Sequence, residues 1–279
     1  MGLDVVTIAT VGGEGTRLYP LTLDRPKCLI NLVGRAIVAR TFESLARQGC
    51  KEFIVAAKGA EISSRLKDYF KDGAGFSSRL KLESPAVFRY QNNYPDTGSA
   101  DSLRHNLERY DIRKDVLVVA GDSVFELSLE EMVRYHQEKG AVATVALKRI
   151  EGDLSPFGVA DVDENFRIRR FVEKPKPGEA PSNFVNTAIY LFSPEVREVL
   201  RKMGDKARDI GGDLIPYLVK NGYPVFGFQL SGYWCDVGSP AAYLSSCQAL
   251  LHQTAKPFSL GEQVAPGLWI HPTTWETIR

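Results

Sequence analysis

No stretch of this chain approaches the roughly 18 consecutive apolar residues that a membrane-spanning helix requires, so no membrane partner is expected. The N-terminus lacks a basic segment followed by an apolar one, and Asp4 stands where such a segment would begin, so no secretory leader is expected. A myristoylation signal would need Ser or Thr at the position held by Val6. Cysteine is scarce. Cys28, Cys50, Cys235 and Cys247 form no C-x-x-C pair, and the four histidines are scattered, which argues against a zinc site. The thiols read as free, buried or half-buried groups in a reducing, cytoplasmic setting. Neither charge dominates: 35 Lys and Arg face 34 Asp and Glu, for a formal net charge of +1. Such a balance exerts no global pull toward nucleic acid or membrane surfaces. Low-complexity tracts and linkers that would split the chain into halves are also missing.

What is present suits a globular protein. At 279 residues and 44% hydrophobic content, the chain holds one large domain, or a domain with an appendage. Apolar β-rich runs alternate with helical patterns. Strands are expected at 4–9, 51–57, 87–91, 116–120 and 142–147, and helices at 36–48, 61–70, 100–109 and 129–139. The continuous run Val116–Ala120 implies burial on both faces, as in a parallel sheet. This alternation predicts an α/β fold with a doubly wound, mostly parallel, Rossmann-like sheet. After about Ile150 the pattern changes to strands at 157–163, 168–173 and 184–192. Asp163-Glu164-Asn165 marks the turn between the first two. Helices follow at 213–220 and 240–252.

The richest segment comes directly after the first strand: Val11-Gly12-Gly13-Glu14-Gly15-Thr16-Arg17-Leu18-Tyr19-Pro20-Leu21-Thr22, then Arg25-Pro26-Lys27. Glycines let backbone N–H groups approach an anion closely, and Arg17 and Lys27 can neutralise its charge. This is a phosphate-holding loop of neither common type. No lysine is followed by Ser or Thr, as a Walker A loop requires, and the sixth position counted from Gly13 is Leu18, not glycine.

The string G-G-x-G-T-R-L-x-P-L-T-x-x-x-P-K resembles the signature of the sugar-1-phosphate nucleotidyltransferases. Four further segments carry the same resemblance in the right order. They are Val116–Asp122 (an apolar strand ending in Gly-Asp), Val172-Glu173-Lys174-Pro175, Asn186-Thr187-Ala188-Ile189-Tyr190, and Trp234-Cys235-Asp236-Val237-Gly238-Ser239-Pro240. The resemblance spans about residues 4–245. It implies a reaction in which a sugar-1-phosphate oxygen attacks the α-phosphorus of a nucleoside triphosphate and pyrophosphate leaves. The nucleophile is already anionic, so the demand is for positioning and charge neutralisation rather than a general base. A hard divalent cation, Mg²⁺, suits that demand.

The resemblance assigns residues as follows. Asp122 and Asp236 would hold the metal. Arg17 and Lys27 would bind the triphosphate, with Arg17 stabilising departing pyrophosphate, and Lys174 would hold the sugar phosphate. Gly12, Gly13, Gly15 and Thr16 would line the nucleotide, and Gln91 and Gly98 would read the base. Gly158, Glu173, Asn186 and Tyr190 would bind the sugar on an inserted antiparallel β segment. Three positions depart from the family pattern: Val11 before the glycines, Ser99 where Thr is common, and Ala188 in place of a glycine beside the sugar.

Glucose-1-phosphate with UTP or dTTP is the expected substrate pair, on the strength of Gln91. Mannose-1-phosphate with GTP, or a non-catalytic regulatory homologue that binds nucleotide-sugar, are the alternatives. Residues 1–245 are expected to form the catalytic domain. Residues 246–279 read as a tail, in which Val264–Pro272 faintly resembles the opening rung of a β-helix. A homo-oligomer is expected from the family resemblance.

Overall fold

The computed structural model describes residues 3–13, 15–92, 94–252, 262–265 and 268–270. Glu14 therefore lies outside the described residues, as does most of the chain beyond His252. In chain order the first half runs Val5–Val11 (β1), Ile37–Arg47 (α1), Glu52–Ala57 (β2), Ala60–Phe70 (α2), Ala74–Leu80 (α3), Val87–Tyr90 (β3), Ser99–Arg109 (α4), Asp115–Ala120 (β4), Ser123–Phe125 (β5) and Leu129–Glu138 (α5). The second half runs Ala143–Arg149 (β6), Gly158–Val162 (β7), Ile168–Glu173 (β8), Phe184–Phe192 (β9), Val196–Met203 (α6), Ile215–Lys220 (α7), Val225–Gln229 (β10), Trp234–Asp236 (β11) and Pro240–Leu251 (α8). Glu262–Ala265 (β12) and Leu268–Ile270 (β13) then pair antiparallel as a small hairpin.

Nine strands form one sheet, whose main path is β8-β7-β9-β4-β1-β2-β3, with β6 joined to β9 and β10 joined to β6. From β4 through β1 and β2 to β3 the pairing is parallel. β9 runs antiparallel to β4, β6 and β7, and β7–β8 is the expected hairpin. The doubly wound reading and its inserted antiparallel segment are both found. β1 carries neighbours on both sides, with the chain winding outward in each direction. The gap beyond the carboxyl ends of β1 and β4 is thus the topological switch point where ligands bind in such sheets.

The helices cover both faces because the strands are apolar on both. In β1, Val5, Ala9 and Val11 pack in one core with Phe42, Phe53, Phe70 and Phe88, while Val6 and Ile8 pack in the other with Leu103, Leu107, Val199 and Leu214. α8 is held by a third cluster, in which its Ala249 and Leu250 meet Leu18, Ile30, Ile37 and Val237. The boundary expected at 245 falls within this helix. The helix expected at 213–220 has a different start: a π-helical turn covers Ile210–Leu214 and precedes α7.

One core residue carries a pH signature. His136 is buried, its Nδ1 pairs with the Thr144 hydroxyl at 2.7 Å, and its Nε2 has no partner among the described residues. Burial lowers its pKa to about 4, below the ordinary 6.5. The unfolded chain therefore takes up a proton first as the pH falls. The neutral ring supports the fold fully above pH ~6.5, and this is lost toward pH ~4, by up to about 3 kcal/mol. Urea titrations at stepped pH should show stability dropping across that window in the wild type and a flatter profile in His136→Gln. Equal slopes would exclude the effect.

Candidate active site

The glycine loop leaves the carboxyl end of β1. Gly13 and Gly15 take φ values of +95° and +64°, a region costly for any residue with a Cβ. The loop is tied to itself, since the Thr22 hydroxyl donates to the Gly15 carbonyl at 2.8 Å. It then runs into a 3₁₀ turn, Thr16–Leu18, which carries Arg17. A second 3₁₀ turn, Lys27–Leu29, sets Lys27 beside the ends of the central strands.

Asp122 follows β4, and Asp236 ends β11. The two come together because β5 and β11 form an antiparallel ribbon in which Ser123 is paired with Asp236. The Val237 N–H also donates to the Asp122 carbonyl at 3.2 Å. Lys27 Nζ lies between the carboxylates, donating to Asp122 Oδ2 at 2.7 Å and to Asp236 Oδ1 at 3.2 Å. Burial works to lower the pKa of this ammonium, but the two carboxylates, as charges and as acceptors, outweigh it and hold the value above that of an ordinary lysine. Arg17 reaches the same place: a Cβ built on Gly238 would lie 3.4 Å from Arg17 Nη2 and 3.2 Å from Asp236 Oδ2. Two cations and two acids, far apart in the chain, thus meet at the switch point.

The donor set fits a hard cation. Two adjacent carboxylates supply oxygen ligands, and among the described residues no third His, Cys, Asp or Glu completes an all-protein cage. Mg²⁺ prefers that arrangement, filling its shell with water and substrate phosphates.

Beside the carboxylates opens a cleft of about 300 Å³ that includes Thr10, Asp122, Asp236, Phe157 and Trp234 among its walls. Gly158, Glu173, Asn186 and Tyr190 also line it. Asn186 Nδ2 donates to the Tyr190 hydroxyl at 2.7 Å, and its Oδ1 accepts from the Ala188 N–H at 3.0 Å. Burial raises the pKa of Tyr190 well above the ordinary phenol value. Glu173 is also raised, by burial first and then by the charge of Asp209, with Lys174 acting in the opposite sense. Lys174 stands at the rim, 70% exposed, its Nζ 3.9 Å from Glu173 Oε1. A positive φ of +47° turns the chain there at the end of β8. A larger cavity, about 520 Å³, lies between α1, α5 and β10, but none of the charged groups above borders it.

Ala188 adopts φ +57° in the bulge of β9, the conformation that the glycine of the family pattern would take without strain. Ala188→Gly is expected to gain roughly 0.5–1 kcal/mol, or about 1–3 °C in melting temperature. Calorimetry showing an unchanged or lower melting temperature would refute this.

The structure corrects the base-reading expectation. Gln91 is fully buried and does not line the cleft. Its Nε2 donates to Asp96 Oδ2 at 2.9 Å, and its Oε1 accepts from the Ser102 hydroxyl at 2.6 Å and from Asn106 Nδ2 at 2.7 Å. A buried amide must satisfy its polar atoms, and this one does so inside the protein. Gly98 is bare for a nearby reason: a Cβ there would collide with the Arg208 carbonyl oxygen. Sequence reasoning also missed Ser99 and Asp209, which line the cleft. The run Asp209-Ile210-Gly211-Gly212 carried a turn signal, but nothing in it announced a site.

Comparison with known proteins identifies the family. The family model described as nucleotidyl transferase matches residues 6–253. A UTP--glucose-1-phosphate uridylyltransferase of Synechocystis sp. is 31% identical over 267 residues, covering 92% of this chain and 66% of that protein. A mannose-1-phosphate guanylyltransferase catalytic subunit beta of Drosophila pseudoobscura pseudoobscura is 28% identical over 262 residues, covering 94% of this chain and 65% of that protein. The chain thus spans just under two thirds of the length of these relatives. Among solved structures, a Bacillus anthracis protein provisionally assigned as a glucose-1-phosphate thymidylyltransferase, with sucrose bound, superposes with a TM-score of 0.76. That match is 24% identical, covers 93% of this chain and 98% of the other, and bears on the fold alone.

Proposed function

From a chain that belongs to the nucleotidyl transferase family, we propose an enzyme that transfers a nucleotidyl group from a nucleoside triphosphate to a sugar-1-phosphate. A phosphate oxygen of the sugar phosphate bonds to the α-phosphorus, the bond from that phosphorus to the bridging oxygen breaks, and pyrophosphate leaves. The observation that carries this reading is Lys27 shared between Asp122 and Asp236, beside a glycine loop that bears Arg17.

Each group has a part in that chemistry. The glycine loop offers backbone N–H groups to the triphosphate, and Lys27 and Arg17 offset its charge. Arg17 stabilises the pyrophosphate as it departs. Lys174 meets the sugar phosphate at the rim. Asp122 and Asp236 would hold Mg²⁺, which supplies charge neutralisation at the reacting phosphates. Glu173 and Asn186 accept hydrogen bonds from sugar hydroxyls, with Gly158 lining the same cleft.

For the substrates we propose glucose-1-phosphate with UTP or dTTP. The uridylyltransferase relative supports this choice, whereas Gln91 no longer does. Mannose-1-phosphate with GTP is the second reading, supported by the guanylyltransferase relative. A non-catalytic regulatory homologue would have no need of the intact charged set. We draw the catalytic unit to the end of α8, given the packing of Ala249 and Leu250, and leave the remainder as a tail. No helix among the described residues is long and apolar enough to cross a membrane. Four free cysteines support a cytoplasmic setting. Homo-oligomerisation rests on family resemblance, and light scattering that returned a monomer would remove it.

The deciding assay is pyrophosphate release with Mg²⁺ over a grid of nucleoside triphosphates against glucose-, mannose-, galactose- and N-acetylglucosamine-1-phosphates. Release confined to a few pairs supports the reading and names the substrates. A folded protein that releases none with any pair would sink it.

A further inference from the structure

We propose that Lys58 reads the base of the bound triphosphate and selects bases that carry a carbonyl oxygen (uracil, thymine, guanine) where cytosine and adenine carry an amino group. This inference rests on the function proposed above and names the base class for it.

The order of the strands fixes where a nucleoside can lie. β4 has β9 on one side and β1 on the other. The sugar cleft opens on the β9 side, where Gly158 of β7, Glu173 of β8 and Asn186 of β9 line it. A triphosphate held by the glycine loop, with its phosphates toward Asp122, must send its base the other way. That direction leads over the carboxyl ends of β1, β2 and β3.

Those three ends are level. Val11 of β1 is in register with Ala57 of β2, and Val55 of β2 with Tyr90 of β3. Gly12, Lys58 and the segment from Asn92 therefore emerge together, and all three of these residues are exposed. Lys58 holds the middle position. Its N–H donates to the Val11 carbonyl at 2.9 Å, which pins its backbone to the root of the glycine loop. A Cβ built on Gly12 would find Lys58 Cβ at 3.8 Å, and one built on Gly13 or Gly59 would meet nothing within 4 Å. The lysine thus rises beside bare backbone and open space.

Its amino group is unspent: among the described residues Lys58 Nζ makes no hydrogen bond and no ion pair. The neighbouring amides are engaged. Gln91 is consumed by Asp96, Ser102 and Asn106, and Asn92 Oδ1 is hydrogen-bonded to His105 Nε2 at 2.6 Å. An ammonium has three donors and no acceptor. O4 of uracil or thymine and O6 of guanine can accept from it. The amino groups of cytosine and adenine would set donor against donor, and a site built to donate rejects an analogue that cannot accept. A lysine that only offset phosphate charge would act on every triphosphate alike.

The test measures kcat and KM for UTP, dTTP, GTP, CTP and ATP in the wild type, Lys58→Met and Lys58→Arg, with calorimetric binding of the same triphosphates. The wild type should prefer UTP to CTP, or GTP to ATP. Lys58→Met keeps a stem of similar length and removes the donors. Its preference should fall about tenfold, the size of one hydrogen bond to a charged group, through a higher KM for the favoured triphosphate. Lys58→Arg keeps charge and donors and should restore most of the ratio. Melting curves of both variants should match the wild type, because the side chain is exposed. An equal loss for every triphosphate marks a phosphate contact and overturns the proposal. An unmoved ratio overturns it too, as does a wild type that prefers CTP or ATP. In those three cases pyrophosphate release leaves the proposed function standing. A folded wild type that neither binds nor turns over any triphosphate removes both.

Discussion

Asp122→Asn is expected to lower turnover roughly a thousandfold, equivalent to about 4 kcal/mol of transition-state stabilisation, while the protein stays folded. The change keeps the size of the side chain and an oxygen for Lys27, and it removes one of the two charges that gather the ammonium and suit a divalent cation. The fold should tolerate it, because the Asp122 side chain is 28% exposed at the mouth of the sheet and not part of the core. Single-turnover pyrophosphate release measures the loss, and circular dichroism with a melting curve checks the fold. Turnover within tenfold of the wild type would mean that Asp122 is only a turn residue after β4. Activity lost together with the fold would assign it a structural task instead.

Gly98→Ala should cost about 2–4 kcal/mol of stability and weaken sugar phosphate binding as well. Its φ of +156° with ψ of −172° is backbone that glycine alone adopts readily, and the new methyl group would meet the Arg208 carbonyl. That carbonyl also accepts from the Ala100 N–H, so displacing it disturbs the start of α4 and the neighbouring Asp209 together. A urea titration reads the first effect as a lower midpoint at unchanged slope. Calorimetry with glucose-1-phosphate reads the second. A midpoint equal to that of the wild type would show that the backbone relaxes freely there. The joint between α4 and the segment before α7 would then not be stiff.

How much of this was legible in advance depended on the range of the interactions involved. Val116–Ala120 declared itself because a strand covered on both faces must be apolar throughout, which one chain segment shows alone. The glycine loop declared itself because a left-handed backbone, as at Gly13 and Gly15, calls for glycines at fixed local positions. β5 and β11 did not, since three residues carry no readable period, and their pairing is set by chain segments more than a hundred positions apart. Gln91 misled for a similar reason. Its chemistry suits a base edge, but Asp96, in the loop before α4, and Ser102 and Asn106, on α4, consume its polar atoms. Asp209 was silent because its orientation is fixed by Ser99, 110 positions earlier.

The ribbon of β5 and β11 also sets a schedule for the nascent protein. Lys27 is separated from Asp122 by 95 positions and from Asp236 by 209. A ribosome adding about 5–20 residues per second delivers the second acid some 6–23 s after the first, and later still once the exit tunnel is cleared. During that interval the parallel strands through β4 already exist, and the charged centre has one carboxylate of its two. Translation halted before Trp234 would therefore leave a product able to form much of the sheet and lacking the second carboxylate that Lys27 meets. Of the two strands of the ribbon, the later to emerge is the one that completes the charged centre.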